Sequence, residues 1–228
     1  MSERPRALRP VDAATLLVLD RSHGDIRVLM GRRSTRHVFM PAAYVFPGGR
    51  VDRSDGDVTT ASALRVADEQ RLVDGMKGRP SARRAKALGI AALRETAEET
   101  GLALGHPFRG RTHSLFIRHG LAPSLGELRY VARAITPPGR SRRFDTRFFA
   151  VFRDAVSEPD GWTPSGTDEL EDVQWIALGD AANLDVPRIT AVILGEVRER
   201  LRVDPELERD LPVPHHHMRH RTFVREED

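Results

Sequence analysis

The chain has 228 residues, 39% of them hydrophobic and 30% charged, with a formal net charge of +3. That length supports one sizeable domain with its own core, and the composition excludes a mainly disordered chain. There is no cysteine, which excludes disulfides, thiol catalysis and cysteine-ligated metal centres. No apolar run approaches the roughly 20 residues of a membrane helix, and the amino terminus lacks the apolar stretch and cleavage site of a secretory signal. A cytoplasmic protein is therefore expected, with no membrane and, at so small a net charge, no nucleic-acid partner. Of thirty-six cationic side chains only Lys77 and Lys86 are lysines. Arginine's planar fork suits phosphate, although codon bias in a GC-rich genome produces the same surplus.

Residues 1–11 read as a polar arm and residues 13–19 as a buried strand. A turn at 20–25 leads to a partner strand at 26–30, so the chain opens with a hairpin. Residues 44–46 form a short strand running into Pro47-Gly48-Gly49, a punctuated loop. Residues 58–76 carry apolar side chains at 58, 61, 64, 67, 72, 73 and 76, which predicts a helix. Gly78-Arg79-Pro80 breaks it. Ser81 caps a second helix from about Ala82 to Thr100, with Gly101 at its stop position. Strands are predicted at 128–135, 144–152 and 173–176, helices at 179–184 and 187–201, and an irregular tail beyond. Strands on both sides of a central helix imply a mixed α/β (α+β) fold.

The helix at 82–100 holds the informative stretch, Arg94-Glu95-Thr96-Ala97-Glu98-Glu99-Thr100-Gly101-Leu102. At about 100° per residue, Glu98 lies roughly 60° behind Glu95 and Glu99 roughly 40° ahead of it. Three carboxylates share one narrow face, and their mutual repulsion calls for compensation. A hard divalent cation, Mg²⁺ or Mn²⁺, would supply it by bridging carboxylates to substrate phosphates; a solvated acidic face is the plainer alternative. The Gly48-Gly49 backbone upstream can approach a ligand closely.

Together these residues resemble the signature of the Nudix hydrolase superfamily, in which a glycine, five residues, an acidic residue and seven residues precede Arg-Glu-apolar-X-Glu-Glu-X-Gly-apolar. Arg94, Glu95, Glu98, Glu99, Gly101 and Leu102 match the second half, with Thr96 at a position usually apolar. Gly49 matches the first half, and Asp55 stands six residues on, where the family usually has glutamate. The usual spacing would place these positions at Pro80 and Lys86, so the box is split by about thirty residues. In this it resembles the subgroup related to peroxisomal coenzyme A diphosphatases, as do the stretches at 143–149 and 169–175.

The resemblance implies an α/β/α sandwich with a mixed sheet, a domain spanning 12–202 with a helical insertion at about 56–85, and a tail at 203–228. It also implies metal ligands Glu95, Glu98, Glu99 and the Gly49 carbonyl. Glu98 is the candidate base, Arg94 orients the glutamates, and Glu169 completes the metal shell or acts as base, with Glu171 as runner-up. Gly48, Arg33 and Ser34 are candidate substrate contacts, since an Arg-Ser element precedes the glycine loop in coenzyme A-hydrolysing members; here Ala42 replaces that element's glycine. Arg143, within the cluster Arg140, Arg142, Arg143 and Arg147, is a further candidate phosphate contact. The insertion would cap the site or form a homodimer contact.

The implied activity is hydrolysis of a nucleoside diphosphate linked to another moiety, coenzyme A or acyl-coenzyme A foremost. ADP-ribose, NADH and dinucleoside polyphosphates are alternative substrates, and a non-catalytic nucleotide sensor is a third reading. The tail carries His215-His216-His217. Three adjacent histidines cannot all face one ion from a regular element, so this run is expected to be structural or adventitious.

Overall fold

A computed structural model describes residues 8–34, 42–220 and 222–227. The expected amino-terminal arm lies outside them over residues 1–7. Strand β1 (Val11–Asp20) pairs antiparallel with β2 (Arg27–Arg33), Leu19 opposite Val28. Strands β3 (Tyr44–Val45) and β4 (Gly48–Arg50) follow, then a 3-10 turn at Asp55–Asp57. Helices α1 (Val66–Asp74) and α2 (Ala82–Thr100) come next. The short β5 (His106–Pro107) and β6 (Leu121–Ala122) flank a one-turn α3 (Ser114–Ile117). Strands β7 (Arg129–Ile135), β8 (Phe144–Phe152) and β9 (Leu170–Ala177), helix α4 (Arg188–Val203), and strands β10 (Pro214–Arg219) and β11 (Thr222–Glu227) complete the chain.

The main sheet runs β11-β10-β7-β8-β1-β2-β3, with β4 also on β1 and β9 also on β2. It is mixed: β1–β8 and β7–β10 are parallel, the other pairs antiparallel. Both of its faces are covered, which is why β1 is an unbroken apolar run rather than an alternating one. Leu16 and Val18 pack with Leu88, Ala91 and Leu93 of α2. Leu17 and Leu19 point the other way and pack with Ile193, Leu194 and Val197 of α4. This is the expected α/β/α sandwich. No helix among the described residues is long and apolar enough to cross a membrane.

Helix α2 has its expected bounds. Ser81 Oγ accepts the Arg84 N–H (3.2 Å), and Gly101 adopts a left-handed φ of 72°. The helix expected at 58–76 is confined to Val66–Asp74. Before it, the backbone bonds elsewhere: Ala61 N–H donates to Pro123 O, and Ser62 Oγ meets Ser124 Oγ and accepts the Gly126 N–H. Val58, Leu64, Leu72 and Met76 still enter the core around α2, so the apolar stripe finds its partner within the chain. The helix expected at 179–184 is a 3-10 turn at Ala181–Asn183. The tail is not irregular: β10 and β11 form a hairpin that extends the sheet through β7. Their polar, histidine-rich composition hides a strand that is half-buried at the edge of the sheet.

Candidate active site

The local reason for the site is the split edge of β1. Its carboxyl-terminal half pairs with β2, while Ala13, Ala14 and Thr15 pair with Arg50, Gly49 and Gly48 of β4. This lays the glycine backbone beneath the last turns of α2. A Cβ on Gly48 would lie 2.6 Å from Ala14 O and 2.7 Å from Thr15 Cα; one on Gly49 would lie 2.4 Å from the Glu95 carboxyl carbon. Gly48 is required by close approach to backbone, while a side chain at Gly49 would displace the Glu95 carboxylate.

Glu99 is 3% exposed, and one of its carboxylate oxygens accepts the Gly48 N–H at 2.9 Å. Burial, reinforced by the charges of Glu95 and Glu169, pushes it up to about 8 against the opposing Gly48 hydrogen bond and Arg33. Burial also raises Glu95, with Arg94 opposing and Glu98 and Glu169 adding repulsion. Glu98 has its side chain 43% exposed. Glu95 and Glu99 are therefore not part of a solvated face, while Glu98 stays open to solvent.

Arg94 holds them. Nη1 donates to Glu95 Oε1 (2.9 Å) and Glu98 Oε2 (2.8 Å), Nη2 to the Arg50 carbonyl (2.9 Å), and Nε to Asp55 Oδ1 (2.9 Å). Asp55 is 1% exposed. It thus joins the box across the insertion, in a turn closed by the Asp52 N–H on its own Oδ2 (2.8 Å). Thr96, at the usually apolar position, is fully buried and satisfies its hydroxyl on Ala92 O at 2.8 Å.

Glu169 and Arg33 lie near enough to the glutamate helix for their charges to act on Glu99. They sit on neighbouring strand ends: Arg33 pairs with Leu170, and Ser34 N–H donates to Glu169 O at 3.1 Å. Ser34 is buried, which makes it a support for the Glu169 turn. Ala42 has a φ of 63°, a left-handed conformation that suits the glycine usual there. Glu171 instead faces Arg32 at 3.9 Å.

Arg143 is not brought to the glutamates by any contact of its guanidinium, which donates to Thr136 O (3.0 Å) and Leu8 O (2.6 Å). Arg147 is buried in an ionic network with Asp12 (2.9 Å) and Asp145 (3.2 Å). Trp162 escaped the sequence reading. Its Nε1–H donates to the last carbonyl of α2, Thr100 O, at 3.0 Å, and it packs edge-on against Trp175 with Arg153 over both rings. It ties the loop leading to Glu169 onto the end of the glutamate helix. A tryptophan amid polar loop residues was the available signal.

The donor set fits a hard divalent cation: carboxylate oxygens from Glu95, Glu98, Glu99 and Glu169, whose repulsion and burial a dication would offset.

No family model matches the chain. Its sequence is 27% identical to an acyl-coenzyme A diphosphatase of Xenopus laevis; the alignment covers 71% of this chain and 63% of that protein's length. The Nudix domain of NrtR from Shewanella oneidensis, in complex with ADP-ribose, shares the fold (TM-score 0.50, 13% identity, 85% of this chain and 90% of that one). A Nudix hydrolase from Alicyclobacillus acidocaldarius superimposes with a TM-score of 0.62 at 30% identity, over 82% of this chain and 90% of that one. With that identity across nine-tenths of a solved relative, the chain belongs to the Nudix hydrolases.

Proposed function

We propose that the protein is a divalent-metal-dependent hydrolase that cleaves the diphosphate bond of a nucleoside diphosphate linked to another moiety, with coenzyme A or acyl-coenzyme A as substrate. The observation that carries this reading is the set of helix carboxylates at the glycine turn: Glu99 accepts the Gly48 N–H, Glu95 stands against Gly49, and Arg94 bridges Glu95 and Glu98, with Glu169 and Arg33 near enough for their charges to act on Glu99. Glu95, Glu98, Glu99 and the Gly49 carbonyl would hold Mg²⁺ or Mn²⁺. When bound, the metal supplies neutralisation of the diphosphate charge and a more acidic water.

The chain's own groups divide the remaining work. Arg94 fixes the Glu95 and Glu98 carboxylates through one nitrogen, so both are pre-oriented. Glu98, the most exposed of the helix carboxylates, takes the proton from the attacking water, with Glu169 as the second candidate for that proton. Arg33 pairs with a substrate phosphate. The Gly48 backbone is the candidate contact for the diphosphate. Preference for coenzyme A draws support from the Arg33-Ser34 pair and from the acyl-coenzyme A diphosphatase relative.

The test is a substrate panel with the full chain and Mg²⁺ or Mn²⁺: coenzyme A, acetyl-coenzyme A, ADP-ribose, NADH and dinucleoside polyphosphates. Preferred conversion of the coenzyme A compounds to 3′,5′-ADP and a 4′-phosphopantetheine fragment is expected. Preference for ADP-ribose or NADH would overturn the substrate and leave the metal chemistry. Binding without cleavage of any compound would make the protein a nucleotide sensor.

A further inference from the structure

The histidine run lies on β10, and strand alternation divides it. His216 turns to the α4 side, buried, with Nε2 3.0 Å from Glu196 Oε1 and its ring stacked on Phe223. His215 and His217 turn to the opposite face, their rings stacked with centroids 4.5 Å apart. Glu226 of β11 stands directly across from His215 and diagonal to His217. One ligand atom from each of His215, His217 and Glu226 lies within 4.8 Å of the other two.

We propose that His215, His217 and Glu226 form a second metal site, selective for a zinc-class transition dication and separate from the helix carboxylates. Three atoms at most 4.8 Å apart leave a centre no more than about 2.8 Å from each, and bond lengths of about 2.0–2.1 Å need each to move inward by about 0.7 Å. Rotation about side-chain torsions covers that distance without moving the strands. Two imidazoles and one carboxylate favour zinc over magnesium, the reverse of an all-oxygen set. The His217 Nδ1 is buried without a hydrogen-bond partner, and its Nε2 lies 3.7 Å from Glu226 Oε2. Arg219 Nη1 holds the other oxygen, Glu226 Oε1, at 3.1 Å, which steadies the carboxylate and leaves Oε2 for the ion. The neighbouring charge is balanced: Arg133, level with His215 on β7, is paired through two hydrogen bonds of 2.8 Å with Asp145. A bound ion would clip β11 to β10 at the edge of the sheet.

The experiment is a calorimetric titration of the metal-stripped full chain with Zn²⁺ in saturating Mg²⁺, alongside thermal unfolding at each Zn²⁺ concentration. One equivalent of Zn²⁺ should bind and raise Tm with concentration, as linkage requires. His217→Ala and Glu226→Gln should each weaken binding by about 100-fold, no less than the loss of an outer partner can cause, and leave Mg²⁺-dependent hydrolysis unchanged. Glu99→Gln should bind Zn²⁺ as tightly as the parent. Glu226 is exposed, so its variant keeps the test valid if His217→Ala does not fold. Undiminished uptake in both hairpin variants, uptake lost in Glu99→Gln, or no uptake by the parent would overturn the proposal.

Discussion

The guanidinium of Arg94 and the carboxylate of Asp55 are joined by two hydrogen bonds, Nε to Oδ1 at 2.9 Å and Nη2 to Oδ2 at 3.2 Å, across thirty-nine residues of sequence. Both groups are buried. The same guanidinium also holds two glutamates of α2 and the Arg50 carbonyl, so it ties the glycine strand, the acidic turn and the helix into one unit.

Arg94→Ala leaves the buried Asp55 carboxylate without a counter-charge and should lose about 3–5 kcal/mol in urea unfolding. Asp55→Ala leaves Arg94 paired with Glu95 and Glu98 and should lose less. The double variant should lose less than the sum, since one interaction is counted twice. Additive losses in the double-mutant cycle would mean the two residues do not act as a pair.

Gly49→Ala tests the close approach. The added methyl overlaps the Glu95 carboxylate and must push it aside. A displacement of about 1 Å at a reacting centre costs on the order of 10²-fold in rate, so kcat should fall by about that factor in a folded variant. An unchanged kcat would remove Glu95 from the chemistry.

Glu98→Gln and Glu99→Gln retain the shape and a carbonyl acceptor, the latter for the Gly48 N–H. Both should fold with unchanged circular dichroism, while turnover drops by about 10²-fold or more, the usual weight of a general acid or base. Parent-level turnover in both would refute the carboxylate assignment.

Trp162→Phe removes the hydrogen bond to Thr100 O and keeps most of the ring packing. Stability should fall by about 1 kcal/mol, and kcat should fall more than KM rises because the loop that leads to Glu169 is loosened. Equal effects on Trp162→Phe and a Glu169→Gln/Trp162→Phe double variant, relative to their parents, would separate the tryptophan from Glu169.

Two groups should each weaken the fold in acid, against the opposite contribution of Glu99, whose carboxyl, raised to about 8, favours the fold as pH falls below that value. Burial lowers His216 below its ordinary 6.5, so the fold prefers neutral histidine; its contribution is complete above about 6.5 and is lost as pH falls towards the lower folded value. Burial would raise Asp145, but Arg133 and Arg147 outweigh it and hold the carboxyl below its ordinary 3.8. Its contribution persists above about 4 and is lost only as pH falls through the depressed value. Urea unfolding from pH 7 to 3 should show both, with Asp145→Asn flattening only the lower one.

Sequence alone determined what depends on neighbours within a few residues. Ser81, the glutamates and Gly101 delimit α2 and its carboxylate face, and the unbroken apolar run of β1 announces a strand covered on both sides. These signals are local because helix caps and strand burial are satisfied within a turn or across one sheet. The insertion helix is shorter than its apolar spacing predicts for the complementary reason. The apolar spacing at 58–76 is real, but Ala61 and Ser62 spend a backbone N–H and a hydroxyl on the 123–126 loop, a partner no periodicity reveals. Only the tertiary structure decided that Asp55 reaches Arg94, that Arg33 and Glu169 sit on neighbouring strand ends while Arg143 is spent on backbone carbonyls, and that the tail is a hairpin placing Glu226 across from His215 and diagonal to His217. Each of these depends on which distant strands lie side by side and in what register, and a register one residue different would turn every such side chain to the other face.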